Sequence, residues 1–281
     1  RALSGVNQVK DDDWTRFLIT GSTDGIGKHT AHLIAKLGAT VLVHGRSPER
    51  VQLTQLEIQQ QSGNANVHGY VADFASLEGV RQLSRDIHQN HSSLDVLINN
   101  AGVLETKRME SVDGYEMTFA VNVLSPFYLT SLLLDLLKKG NAPRLINVAS
   151  ISQACRIDFD DLQFQMNYGN GVPAYELSKL CNIMFTYMMA EKFQPCGMTV
   201  NTLDPGTVNT KMLLKSWGSI GVSVEEAGYE YNLATSSAYD NVTGKYFVYN
   251  QDAMSSHVSY DKKKQQKLWD ILVKMTGAKF D

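Results

Sequence analysis

Tyr175 and Lys179 lie four residues apart in the run Ala174-Tyr175-Glu176-Leu177-Ser178-Lys179, and Ser150 precedes them. On a helix that spacing puts both side chains on one face. An ammonium within a few ångström of a phenol favours the phenolate. The pair therefore predicts a tyrosine tuned to exchange a proton with an alcohol or carbonyl oxygen near neutral pH, where an unperturbed phenol does not. Tyr260 and Lys264 repeat the spacing, and the chain has twelve tyrosines. Spacing alone is thus weak, and a cofactor beside one of the two pairs must decide between them.

The N-terminal region supplies one. Thr20-Gly21-Ser22-Thr23-Asp24-Gly25-Ile26-Gly27 follows a short apolar run and opens an amphipathic one. Glycines between a strand and a helix permit a tight turn and close approach to a pyrophosphate, which the helix N-terminus attracts through its amides and dipole. The order Gly-x-x-x-Gly-x-Gly differs from the commoner Gly-x-Gly-x-x-Gly. At the end of the second apolar run, His44-Gly45-Arg46 offers no carboxylate for a ribose 2′-hydroxyl. Arg46 is a planar cation suited to a 2′-phosphate, which favours NADP over NAD. Asp73 is placed either to accept from an adenine amino group or to cap the next helix. Asn99-Asn100-Ala101-Gly102 reads as a strand end where backbone approaches the cofactor, or as an ordinary turn.

Composition narrows the remaining classes. The 281 residues are 43% hydrophobic and 20% charged, with a net charge of −3, as in ordinary globular proteins. That balance gives no reason to expect a nucleic-acid or anionic-membrane partner. Lys262-Lys263-Lys264 reads as a solvated helix start. Three cysteines without CxxC spacing suggest free thiols in a reducing, cytoplasmic setting. No apolar run reaches membrane-spanning length. The seven histidines form no HExxH pattern, and His29 with His32 lacks a third ligand, so no metal site is expected.

Strand-like and helix-like segments alternate. Strands are expected at Arg16 to Thr20, Thr40 to His44, Asn66 to Val71, Leu94 to Ile98, Arg144 to Ala149, Met198 to Leu203 and Gly244 to Tyr249. Helices are expected at Gly25 to Leu37, Pro48 to Gln61, Ser76 to Gln89, Val112 to Lys138, Pro173 to Phe193, Val224 to Ser236 and Lys262 to Met275. Apolar strands alternating with helices predict an α/β fold: a single doubly wound, Rossmann-like domain with a mostly parallel seven-stranded sheet covered on both faces. One domain over residues 1–281 accounts for the chain, with a cofactor half near 16–150 and a catalytic and substrate half near 151–281.

Together the motifs resemble the short-chain dehydrogenase/reductase family. Thr20 to Gly27, Asp73, Asn99 to Gly102, Asn122, Ser150, Tyr175, Lys179 and Asp204-Pro205-Gly206 match that family's pattern in order. Tyr175 lies 25 positions after Ser150, farther than is usual in the family, and the insert Ile157-Asp158-Phe159-Asp160-Asp161-Leu162 is similar to the branch of retinol-dehydrogenase-like and WW-domain-oxidoreductase-like enzymes. The resemblance implies that Tyr175 is the general acid or base and that Ser150 stabilises the substrate oxygen, with Ser152 as the competing serine. It implies that Lys179 lowers the tyrosine pKa and holds the nicotinamide ribose, and that Asn122 fixes a water linking Lys179 to solvent. It further implies cofactor contacts from Gly21, Ser22, Thr23, Gly25, Ile26, Gly27, Asn100, Ala101, Gly102, Pro205, Gly206, Thr207, Val208 and Thr210. The helix carrying Tyr175 is apolar on more than one face. In the family it often packs across a homodimer interface; burial within the monomer is the competing account.

Asn209 to Gly228 follows the proline-glycine loop and is expected to cover the site, with Met212, Leu213, Leu214, Trp217 and Ile220 forming an apolar lid over a hydrophobic alcohol or carbonyl. The same residues suit packing on the core. Phe164 and Tyr168 are further pocket candidates. The competing functions are a nucleotide-binding sensor or interaction protein that has lost turnover, and a dehydratase or epimerase using the same cofactor. The four residues Asn122, Ser150, Tyr175 and Lys179 argue against the first, and the short C-terminal region against the second.

Overall fold

In the computed structural model, which describes residues 15–280, the strands join one sheet in the order β3-β2-β1-β4-β5-β6-β7-β8. The strands are β1 (Arg16–Ile19), β2 (Thr40–Gly45), β3 (Val67–Val71), β4 (Val96–Asn99), β5 (Arg144–Val148), β6 (Thr199–Asp204), β7 (Tyr246–Val248) and β8 (Gln251–Asp252). The first seven pair in parallel, and the eighth, absent from the sequence reading, turns back antiparallel on β7. Two residues long, β8 is too short to carry a pattern. Strand order reverses at β1, between β2 and β4, so the crevice for a ligand opens at the carboxyl ends of these strands.

Alternate side chains divide the core. Leu18, Leu42, Leu97 and Leu145 face one layer, and Phe17, Ile19, Val41, Val43, Val96, Ile98 and Ile146 face the other. Both faces are buried, which is why the strands read as continuous apolar runs. Helices α1 (Gly25–Ala35) and α2 (Pro48–Ser62) start on side-chain caps, Asp24 and Ser47. Helix α3 (Leu77–Asn90) starts on Ser76, so Asp73 is not its cap.

The long helix expected from Val112 begins later and is not continuous. Its pieces are α4 (Met117–Phe119), a π turn at Ala120–Leu124, α5 (Ser125–Leu132) and α6 (Leu134–Lys138). Buried Glu116 caps α4 by accepting from the Thr118 and Phe119 amides at 2.8 and 2.7 Å. Pro126 has no N–H to give the carbonyl of Asn122 four residues earlier. The ladder shifts there, and Ser125 N donates to Ala120 O, five residues back.

Helix α7 (Val172–Phe193) is buried along most of its length within this chain, between the sheet and the terminal helix α10 (Lys262–Thr276). Its apolar faces therefore need no second copy to cover them. The expected helix Val224 to Ser236 is a 3₁₀ turn at Val224–Glu226 followed by α9 (Tyr229–Thr235). Between β6 and that turn, α8 (Lys211–Trp217) starts on Thr210. No helix among the described residues is long and apolar enough to cross a membrane.

Phe127 packs edge-on against Phe185, Trp269 and Phe280, with centroids 5.7, 4.9 and 5.0 Å away, and joins α5, α7 and α10. Phe127→Ala is expected to lower unfolding free energy by about 3–5 kcal/mol. Exposed Leu53→Ala should change it by less than about 0.5 kcal/mol. Denaturant titration of the two variants checks the contrast.

Candidate active site

A cleft of about 540 Å³ opens at the carboxyl ends of the strands. The glycine-rich loop forms one wall. Gly21 holds φ +65° and packs so closely on the β4 end that an added Cβ would lie 2.8 Å from the Ala101 Cα. Asn100 Nδ2 donates to the Thr20 and Gly21 carbonyls at 2.8 and 3.2 Å, and Thr20 Oγ1 accepts from the Asn100 and Ala101 amides at 3.0 Å each. These bonds hold the loop in shape against the end of β4.

His44, given no role by the sequence, braces the same loop. Its Nδ1 accepts the Gly21 amide at 3.2 Å, its Nε2 lies 3.1 Å from the Ala72 carbonyl, and its ring stacks on Phe74 at 4.3 Å. Burial pushes the imidazole down to about 4. The ring is therefore neutral, with the proton on Nε2 donated to Ala72.

Gly25, Ile26, Gly27, Arg46, Asp73, Asn100, Ala101, Gly102, Pro205, Gly206, Thr207, Val208 and Thr210 join Gly21 around the cleft. Three expected residues do not line it. Ser22 is buried beneath the loop, where its hydroxyl donates to Ile19 O at 2.7 Å and accepts from His44 N at 2.9 Å. Thr23 packs where a Cβ on Gly45 would stand, 2.6 Å from its Cγ2. Asn122 lies behind Gly102: its Oδ1 accepts from Val103 N at 2.8 Å, and its Nδ2 donates to Val103 O and Ser178 Oγ at 2.9 and 3.0 Å.

Ser150, Tyr175 and Lys179 meet on the facing wall. Ser150 hydrogen-bonds the Tyr175 phenol and also accepts from Ser152 N at 3.0 Å. Of the two serines, Ser150 is thus the one against the phenol. Lys179 is 4% exposed and donates through Nζ to Val148 O at 2.9 Å, with Nζ 5.4 Å from the Tyr175 ring centroid. The cradle fits a dinucleotide: first-turn amides of α1, a glycine loop with no room for side chains against β4, and exposed Arg46 at the rim.

The electrostatics differ from the expectation of a tyrosine depressed by its lysine. Burial is the largest effect and pushes Tyr175 up to about 12, opposed by the Ser150 hydrogen bond and reinforced by Asp204. Burial pushes Lys179 down to about 8, against the opposing charges of Asp204 and Glu230. The phenol is accordingly held protonated.

On the substrate side, Met212, Leu213 and Ile220 line the cleft as expected, joined by Met109, Met117, Val121 and Ile151. Met117 and Val121 share one helix face, the pattern that could have disclosed them. Leu214 is exposed and away from the lining; the Trp217 side chain lies outside the described ones. Lys211, at the start of α8, pairs with Asp24 at 2.5 Å and ties this cover to the glycine loop. Tyr168 does not line the cleft. Its hydroxyl donates to Glu105 O and to Glu116 Oε1 at 2.8 and 2.9 Å, because a buried carboxylate needs donors. Phe164 packs on it edge-on at 6.4 Å.

A parallel sheet with a glycine loop at its switch point and a serine, tyrosine and lysine on the opposite wall defines a dinucleotide-binding oxidoreductase. The family model "short chain dehydrogenase" matches residues 15–219. Human retinol dehydrogenase 14 is 35% identical over 288 residues, covering 92% of this chain and 85% of the relative. Human polyprenol dehydrogenase is 33% identical over 280 residues, covering 93% and 84%. A short-chain dehydrogenase from Shigella flexneri, solved in complex with NADP, superposes with a TM-score of 0.69 at 26% identity, covering 84% of this chain and 96% of that one. The chain belongs to the short-chain dehydrogenase family, in its retinol-dehydrogenase-like branch, and is an oxidoreductase acting on CH–OH or C=O groups with a nicotinamide cofactor.

Glu230, at the first turn of α9, is 1% exposed, and burial pushes its carboxyl up to about 8 from an ordinary 4.5. The folded protein thus keeps a proton that the unfolded chain releases. Glu230 therefore lowers stability progressively as pH rises from 4.5 to 8. Glu230→Gln carries no such proton. Thermal melts should show the Tm of the variant gaining on the parent across this window; a constant difference would refute the shifted carboxyl.

Proposed function

We propose that this protein transfers a hydride between NADP(H) and a hydrophobic alcohol or carbonyl compound, with Tyr175 as the proton donor in reduction and the acceptor in oxidation. The observation that carries this reading is the Tyr175 phenol, hydrogen-bonded to Ser150 in the same cleft that the glycine loop and the apolar residues line. When bound, the nicotinamide supplies the hydride to the carbonyl carbon or takes it from the alcohol.

The remaining roles fall to the chain's own groups. Ser150 Oγ orients the substrate oxygen and stabilises charge developing on it. Tyr175 delivers its proton to that oxygen, and burial keeps the proton on the phenol until then. Lys179 holds the nicotinamide ribose, and Asn122 anchors the water by which the proton is replaced. Arg46 engages the 2′-phosphate. Met109, Met117, Val121, Met212, Leu213 and Ile220 exclude water and accept an apolar body, in keeping with relatives named as retinol and polyprenol dehydrogenases. Methionines adapt to irregular shapes, which suits flexible or polyene chains better than one rigid ring system.

Tyr175→Phe should lower kcat for hydrophobic aldehydes or ketones by about 10²–10⁴-fold, with NADPH affinity retained. Retained turnover would refute the assigned acid. Tyr260 stands apart, stacked on Tyr187 at 5.4 Å with its hydroxyl accepting from Ser255 N at 3.0 Å. Tyr260→Phe should leave turnover as in the parent.

Arg46→Ala should reduce the preference for NADPH over NADH by about ten- to a hundredfold, the loss of one hydrogen bond to a charged group. Fluorescence titration with both cofactors measures it; unchanged preference would remove the basis for naming NADP.

A further inference from the structure

Asp204 ends β6 inside the cleft and is 2% exposed. Its two oxygens serve two different loops. Oδ1 accepts from Ile151 N at 2.8 Å, the amide next to Ser150, and Oδ2 accepts from Gly206 N at 2.9 Å, in the loop that runs on to Thr210. One carboxylate therefore spans the gap between β5 and β6, where the substrate oxygen and the nicotinamide are expected to meet.

We propose that Asp204 is a positioning residue for the reaction: it clamps the Ser150 loop to the Pro205–Thr210 loop and is the carboxylate that keeps the buried Lys179 charged. This rests on the reading of Ser150, Tyr175 and Lys179 above.

The surroundings of Lys179 leave Asp204 little competition. The ionisable groups facing it are Asp204 from β6, Glu230 from α9 and Tyr175 on its own helix. From β5 it meets the Val148 carbonyl. Tyr246 from β7 faces Asp204 and stays neutral, since burial raises its phenol too. Burial drives Glu230 to about 8, so it is mostly protonated at neutral pH. Burial raises Asp204 as well, but its two amide donors and Lys179 oppose the rise. The same charge raises the Tyr175 phenol, helping to keep its proton in place for donation.

Asparagine tests both parts, because it is isosteric, uncharged and offers only one acceptor oxygen for two amides. The readout independent of turnover is the titration of Lys179, followed by NMR in protein carrying Cε-labelled lysine and assigned by the signal missing in Lys179→Met. In Asp204→Asn the Lys179 midpoint should fall by about one unit or more, and kcat should fall by about ten- to a hundredfold as the two loops lose registration. Asp204→Glu keeps the charge but misplaces the oxygens, so its Lys179 midpoint should match the parent while kcat still falls. A parental midpoint in Asp204→Asn, a displaced one in Asp204→Glu, or parental kcat in either variant would overturn the proposal. If Asp204→Asn does not fold, Asp204→Glu alone decides by the same criteria. Parent protein inactive on every hydrophobic carbonyl would instead count against the proposed function, while the lysine titration still reads Asp204.

Discussion

An ammonium group taken out of water loses its proton unless the protein replaces the lost solvation. Lys179 is in that position, and the active end of the sheet is built around it. The Val148 carbonyl accepts its hydrogen bond at 2.9 Å from the end of β5. Asp204 faces it from the end of β6, and Asn122 Oδ1 and Lys179 Nζ both come close to the backbone of Gly102 at the end of β4. Two neighbouring strands, β5 and β6, therefore end on groups that face one cation, and the segment after β4 runs beside it. Their parallel pairing puts those ends on one side of the molecule, which no antiparallel arrangement of the same strands would do.

Burying charge at this end also burdens the fold. Glu230 and Asp204 both lie close enough to Lys179 to alter its protonation, yet burial weakens the charge of Glu230. Two ionised carboxylates beside one lysine would leave net negative charge in the interior. Holding Glu230 neutral leaves one carboxylate opposite one ammonium. The exposed charges at the cleft lie at its rim, with Arg46 and the Asp24–Lys211 pair.

The cofactor half was the more legible in sequence because its constraints are local. A strand, a run of glycines and a capped helix specify the loop within a dozen positions, and Gly21, Gly25 and Gly27 all stand on the cleft. Ser22 read as a ligand because it lies in the motif, but its hydroxyl is spent on Ile19 and His44, and His44 is 22 positions away. Tyr168 read as a pocket wall because it follows Ser150, but its partner is Glu116, 52 positions earlier. Both misplacements come from long-range pairing of buried polar groups, which periodicity does not encode. The π turn in the expected helix has a local cause that the sequence did contain: a proline at 126 disrupts the ladder at Asn122.

That proline bears on more than helix geometry. A regular α-helix there would spend the Asn122 carbonyl on residue 126 and align its side chain with the helix surface. With the π turn, the side chain of Asn122 instead clamps Val103 from both sides and reaches Ser178 on α7. The segment after β4 is thereby fixed to the helix that carries Tyr175 and Lys179, four residues apart. The π turn is what lets Asn122 join the glycine-lined wall to the wall of Ser150, Tyr175 and Lys179.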